Sequence, residues 1–211
     1  MDNTFIISSV GNSGSSLYGM PYTKENYIKL TDKIVEIIKE IIDNNIKDYK
    51  KFNFLYGGGV GSDHVFYMAI TKLKENLPEE YKELQFTTSI LYPCQNYRKR
   101  ATANVKKILS EMAETADDID YLYHRPFKSL SDSVEADKEI CNRANTIIAI
   151  LNPVNTYAGG YRAVHLSKSK GKRIYMINPN EFKDVAKSKK GGRKYGFEAL
   201  NKYWQTDTGE L

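Results

Sequence analysis

The stretch Phe52–Ile70, FNFLYGGGVGSDHVFYMAI, decides how this chain folds. FNFLY, Phe52 to Tyr56, has the length and aromatic content of a strand. Gly57-Gly58-Gly59-Val60-Gly61 breaks it. From Ser62 to about Glu75 a helix is expected, and Pro78 marks a stop beyond it. A strand that runs through a glycine loop into a helix is half of a β-α-β unit.

The alternation continues outward in both directions. Upstream, Thr4 to Val10 (TFIISSV) reads as a first strand. A helix follows over Asn26 to Asn44, with Tyr27, Leu30, Ile34, Ile37, Ile38 and Ile41 on one face. Downstream, Gln85 to Leu91 is a third strand, ended by Tyr92-Pro93, and Arg98 to Met112 is a helix. Tyr121 to Tyr123 suggests a short strand. Asp132 with Glu135 resembles a capping box opening a helix that carries Val134, Ile140, Cys141 and Ala144. Thr146 to Leu151 (TIIAIL) is an unbroken apolar run, as expected of a strand covered on both faces. Gly159-Gly160 opens a helix to about Ser169, and Lys172 to Ile177 is a last strand. Beyond Asn178-Pro179 the pattern weakens, with a terminal helix suggested over Phe197 to Trp204.

Repeated β-α-β units with short links imply an α/β fold: a doubly wound, mostly parallel sheet with helices on both faces, three layers in all. The 211 residues suit one domain, with 1–180 as its body and 181–211 as a basic loop and helical extension. Strand order is not readable from this pattern.

Composition narrows the function classes. A hydrophobic share of 41% and a charged share of 27% are ordinary for a globular chain. The net charge of +5 favours anionic partners only mildly, and much of it falls in Lys183 to Lys194. Cys94 and Cys141 lie far apart without a CxxC, so a reducing, cytoplasmic setting is expected. The first residues lack a signal-peptide pattern, and no apolar run approaches the roughly 18 residues of a membrane span. His64, His124 and His165 have no metal-ligand spacing, so neither a metal nor a cofactor is expected.

In an open parallel sheet ligands bind at the carboxyl ends of the strands. Three junctions there carry chemistry. In GGGVGSD, glycines let backbone approach a ligand, and the helix start behind them offers free N–H groups. Gly57, Gly58, Gly59, Gly61 and Ser62 are therefore candidate phosphate contacts. The loop lacks the GKS/T ending of a Walker A motif, and it does not follow the first strand as a dinucleotide GxGxxG does. Asp63 beside it is a weak candidate for a base or a ribose-hydroxyl contact. The second junction, Asn155 to Arg162, contributes Gly159, Gly160 and Arg162. The third, Gln95 to Arg100, contributes Arg98, whose guanidinium suits a phosphate. Ser8 to Asn12, with Gly11, forms a fourth wall.

A first strand ending in small residues, a second entering GGGVGSD, and a late strand followed by paired glycines and a helix resemble the SLOG superfamily, nearest its YpsA-like branch. That branch has a G-x-x-G-[SV]-[DE] loop after its second strand, and a proline-containing segment like Tyr92-Pro93-Cys94-Gln95-Asn96 after its third. The resemblance spans roughly residues 4 to 180. It implies a Rossmann-like fold, a pocket for nucleotides or their relatives, and a homodimer. Relatives in the superfamily include the LOG phosphoribohydrolases, the DNA-processing protein DprA and nucleotide-messenger sensors. The LOG motif PGGxGTxxE would fall near Ala158 to Leu166. Here Tyr161 and Arg162 follow the glycines, and no acidic residue occurs between Arg162 and Asn180, so the catalytic glutamate is absent.

The leading expectation is a module that binds or senses a small phosphate-bearing, nucleotide-derived ligand. The enzymatic alternative is a nucleotide N-glycosidic hydrolase using Asp63, Asp137 or Glu139, and catalysis stays open on the sequence. Single-stranded nucleic-acid binding is the third reading, favoured least, and no membrane partner is expected.

Overall fold

Side chains along the strands alternate between two cores, and this sets the layers. In the computed structural model, residues 3–12, 24–152 and 159–182 are described. Six strands form one sheet in the order β4-β3-β2-β1-β5-β6. They are β1 (Thr4–Gly11), β2 (Lys51–Tyr56), β3 (Gln85–Cys94), β4 (Asp118–Tyr123), β5 (Thr146–Ile150) and β6 (Arg173–Ile177). Every ladder between them is parallel. Phe54 and Tyr56 point into one core while Leu55 points into the other; Ile90 and Tyr92 likewise flank Leu91, and Ile148 and Ile150 flank Ala149.

The helices divide between the two faces accordingly. The first core takes α1 (Lys24–Asn45), α2 (Ser62–Glu75) and α3 (Ala103–Glu114), through residues such as Leu30, Ile34, Ile38, Phe66, Ile70 and Met112. The second takes α4 (Leu130–Arg143) and α5 (Gly159–Ser169), through Ile140, Cys141, Ala163 and Val164. Right-handed crossovers explain the split. The chain steps from β1 out to β4 with helices on one face, then returns past β1 to β5 and places α4 and α5 on the other. The sheet reverses between β1 and β5, the switch point where open α/β sheets hold ligands.

Several boundaries differ from the sequence reading. β3 continues through Pro93 to Cys94. Its pairing with β2 stops at Tyr56↔Ile90, so the missing N–H of Pro93 costs no bond on that side. The single helix expected from Arg98 is two elements: a 3-10 turn, Tyr97–Arg100, then α3. Ala101 and Thr102 between them are extended, with ψ of 152° and 162°. β4 is twice the expected length, because an edge strand alternates without a continuous apolar run. α4 starts at Leu130, before the expected capping box. Asp132 lies in its first turn, where it accepts the Lys128 N–H (2.8 Å) and pairs with both Arg125 guanidinium nitrogens (2.8 and 2.9 Å). Lys183 to Lys194 and the suggested Phe197 to Trp204 helix lie outside the described residues.

Candidate functional site

The carboxyl edge of β2 is built by its own loop. Gly58 has φ +64° and Gly61 φ +107°, both in the region that favours glycine. A side chain on Gly58 would also strike Ile90 Cγ2 at 2.5 Å and the Tyr92 ring at 2.7 Å. The loop therefore lies flat on β3. This conformation turns the N–H groups of Gly59 and Gly57 toward the Asp63 carboxylate, with Gly59 N donating to Asp63 Oδ2 at 2.9 Å. The amides expected to cradle a phosphate thus hold the protein's own carboxylate. Asp63 is ringed by protein yet keeps part of its surface open. Burial raises its pKa from 3.8 to about 6 against the lowering effect of the two amides.

A second carboxyl group faces the same loop. α4 runs antiparallel to the strands, so its N-terminal half rises over the carboxyl edge. Leu130, Ser133, Asp137 and Ile140 follow one another at helical spacing. Ile140 Cδ1 would lie 3.6 Å from a Cβ on Gly57, and Ser133 lines a cavity together with Gly59. Asp137 lies between them on the same helix face. Burial and the Asp63 charge hold its pKa well above the ordinary carboxylate value. Glu139, named with Asp137 in the sequence, instead pairs with Arg143 at 2.9 Å on the outer face of α4.

Next to this pair is a cavity of about 340 Å³ between the starts of α3 and α4. Its walls include Gly59, Val60, Tyr97, Val105, Phe127 and Ser133. The Tyr97 and Phe127 rings lie 6.1 Å apart, and the Tyr97 hydroxyl reaches toward Gly59. Burial, then the Asp63 and Asp137 charges, raise the Tyr97 pKa. The Tyr56 and Tyr92 hydroxyls are fully buried without a hydrogen-bond partner among the described residues, and Asp63 raises the pKa of both, after burial. Arg98, on the 3-10 turn, sits over the Tyr92 ring at 5.5 Å and is not among the groups acting on Asp63.

The switch point is the other half of the edge. A side chain on Gly11 would meet the Ile150 carbonyl oxygen at 2.1 Å and Ser62 Cβ at 2.7 Å. One on Gly160 would meet the Gly11 carbonyl oxygen at 2.8 Å. β1, α2 and α5 therefore converge on one point, and Ser62 N donates to the Asn12 carbonyl (3.1 Å). Asn12 Oδ1 accepts the Asn152 N–H, and Asn152 Oδ1 accepts from Asn180 (2.8 Å). Asn12 Nδ2, fully buried, has no partner among the described residues. Arg162 is exposed in the first turn of α5. Residues 153–158, with the first half of the second expected junction, lie outside the described residues.

The structure thus gathers Gly57, Gly58, Gly59, Gly61 and Asp63 at one place, and Gly11, Ser62, Gly159 and Gly160 beside it. Sequence reading did not single out Tyr97, Phe127 or Ser133. The spacing of Leu130, Ser133, Asp137 and Ile140 is the signal that could have marked this face of α4. His64 is buried and stacked on Tyr67, and burial lowers its pKa to about 4, as for a core histidine. Among the described residues no group of three His, Cys, Asp or Glu could hold a metal ion, and no helix is long and apolar enough to cross a membrane.

The YspA SLOG family model matches residues 24–185. The chain belongs to the YspA SLOG family. The match starts at α1, so β1 lies outside it although β1 pairs with β2 and β5. No curated protein matches. Among solved structures, the fold is similar to DNA processing protein A from Helicobacter pylori, described for its single-stranded DNA binding mode. The TM-score is 0.50 at 13% identity, covering 96% of this chain and 81% of that one.

Proposed function

We propose that this protein binds a small, phosphate-bearing, nucleotide-derived ligand along the carboxyl edge of its sheet. The observation that carries this reading is the buried, unpartnered Asn12 Nδ2 donor at the β1/β5 switch point, beside the N-terminus of α5. A buried donor left unpaired costs about 1–3 kcal/mol, and an anion at a helix N-terminus would satisfy it. Phosphate then belongs at Gly11, Ser62, Gly159 and Gly160, with Arg162 adding charge from the first turn of α5. Gly57, Gly58, Gly59 and Gly61 shape the neighbouring loop around Asp63, and Arg98 lies on the β3 flank.

The test is calorimetry of the full chain against nucleoside mono- and diphosphates and ADP-ribose, repeated with Asn12→Asp. Binding lost in the variant supports the reading, whereas no binding across the panel rejects it. At 100 times its dissociation constant a ligand raises stability by about 2.7 kcal/mol, which a thermal-shift control detects. Single-stranded DNA in the same crevice is a second reading, favoured by the DprA fold neighbour and the basic run Lys183 to Lys194. Its mark is an affinity that falls steeply with salt.

A further inference from the structure

We propose that Asp63 and Asp137 read the sugar of the ligand, so that the site selects a ribonucleotide over its 2′-deoxy counterpart. This rests on the reading above and adds a direction to it: base in the Tyr97–Phe127 cavity, ribose hydroxyls on the two carboxyl groups, phosphate toward Gly11 and α5.

Geometry supplies the order. Adjacent strands lie about 4.8 Å apart, so β3 to β1, two steps along the edge, spans about 10 Å. That is the scale of one nucleotide. The cavity lies on the β3 side of Gly59, the carboxyl pair over β2, and the buried Asn12 donor at β1. Apolar walls with an aromatic pair suit a planar base, which stacks with little regard to sequence. The middle position is different, because the Asp63 carboxylate and the Tyr97 hydroxyl both lie against Gly59 there, and Tyr97 also feels the Asp137 charge. The unpartnered Tyr92 hydroxyl is a further, independent sign of a polar occupant, since its ring bears on Gly58 beside that cluster.

The Asp63 charge opposes ionisation of Asp137. The Gly57 and Gly59 amides favour the charged form of Asp63, while burial and that charge favour the protonated form of Asp137. The pair therefore offers one acceptor and one donor. A hydroxyl both donates and accepts, so neighbouring hydroxyls match this arrangement, and a phosphate does not because Asp63 repels it. Removing the 2′-hydroxyl leaves a buried polar group unpaired, and sites built this way discriminate strongly.

The experiment titrates the full chain with the four ribonucleoside monophosphates and their 2′-deoxy forms at pH 7.5, in wild type, Asp63→Asn, Asp137→Asn and Phe127→Ala. Wild type should prefer the ribose form at least tenfold. Each Asn variant should bring that preference below threefold and leave the deoxy affinity within threefold. Phe127→Ala should weaken both forms equally. Equal ribose and deoxy affinity in wild type overturns the inference and leaves nucleotide binding standing, as does a preference that survives both Asn substitutions. Failure of every nucleotide to bind overturns both. Thermal unfolding of each variant shows that it is folded.

Discussion

Asp63 and His64, neighbours at the start of α2, should pull stability in opposite directions as pH changes. Burial raises Asp63 from 3.8 to about 6. Between those values the folded chain holds a proton that the unfolded chain has released, so stability falls as pH rises and is lost through the folded pKa. Burial lowers His64 from 6.5 to about 4. Between those values the unfolded chain holds the extra proton, so stability rises with pH and is lost as pH falls through about 4. At about 1.36 kcal/mol per pKa unit, each contribution is about 3 kcal/mol. They nearly cancel between pH 4 and 6. The perturbation is Asp63→Asn, which keeps an acceptor for the Gly59 N–H. Urea unfolding at half-unit steps from pH 4 to 7.5 gives the difference between variant and wild type. That difference should grow in favour of the variant by about 3 kcal/mol across the range. In a chain of this size 1 kcal/mol moves the melting temperature by about 2–4 °C, so thermal melts show the same trend. His64→Gln should give a difference of the opposite slope, growing more negative with pH. Parallel wild-type and Asp63→Asn profiles would refute the claim that Asp63 is held at a cost to the fold.

Other predictions follow from packing. Gly11→Ala places a methyl 2.1 Å from the Ile150 carbonyl oxygen and should cost about 3 kcal/mol or more in urea unfolding. Gly171→Ala, with φ +71° and nothing within 4 Å, should cost only about 1–2 kcal/mol of backbone strain. Phe54→Ala removes a fully buried ring in contact with Phe66 and Phe86, for a loss of about 3–5 kcal/mol. The Arg125 bond and the Lys128 N–H hold the Asp132 carboxyl far below its ordinary value. Its stabilisation is present above that ordinary value and lost as pH falls below it. Acid unfolding of Asp132→Asn should therefore be shallower than that of wild type. Arg125→Ala and Asp132→Ala should lower the melting temperature less than additively when combined.

The layers and most elements were legible because hydrophobic periodicity is local. The α1 stripe from Tyr27 to Ile41, the unbroken β5 run and the glycine-to-helix passage at Ser62 each show in a window of a few residues. What escaped depended on distant partners. β4 is half exposed and takes its place from pairing Tyr121 with Tyr92. The α4 start depends on Arg125 reaching Asp132. The Tyr97–Phe127 cavity joins two loops from different crossovers. The Asp63–Asp137 meeting requires β4 to β5 to cross the sheet, and sequence supplies the two acids without supplying that path.

Packing alone accounts for several of the glycines at this edge. Gly11 and Gly160 are required by β1 and α5 touching each other, and Gly58 by the loop lying on Tyr92. A fold needing only a tight β-to-α passage would have all three. Such a fold would gain from replacing Asp63, whose ionised form is held against its burial, and from pairing Asn12 Nδ2. The unpartnered Tyr92 hydroxyl adds a further cost of about 1–3 kcal/mol. Asp63, Asn12 and Tyr92 lie within one to two strand spacings of each other on the carboxyl edge. On the reading proposed above, an occupant would return that stability on binding.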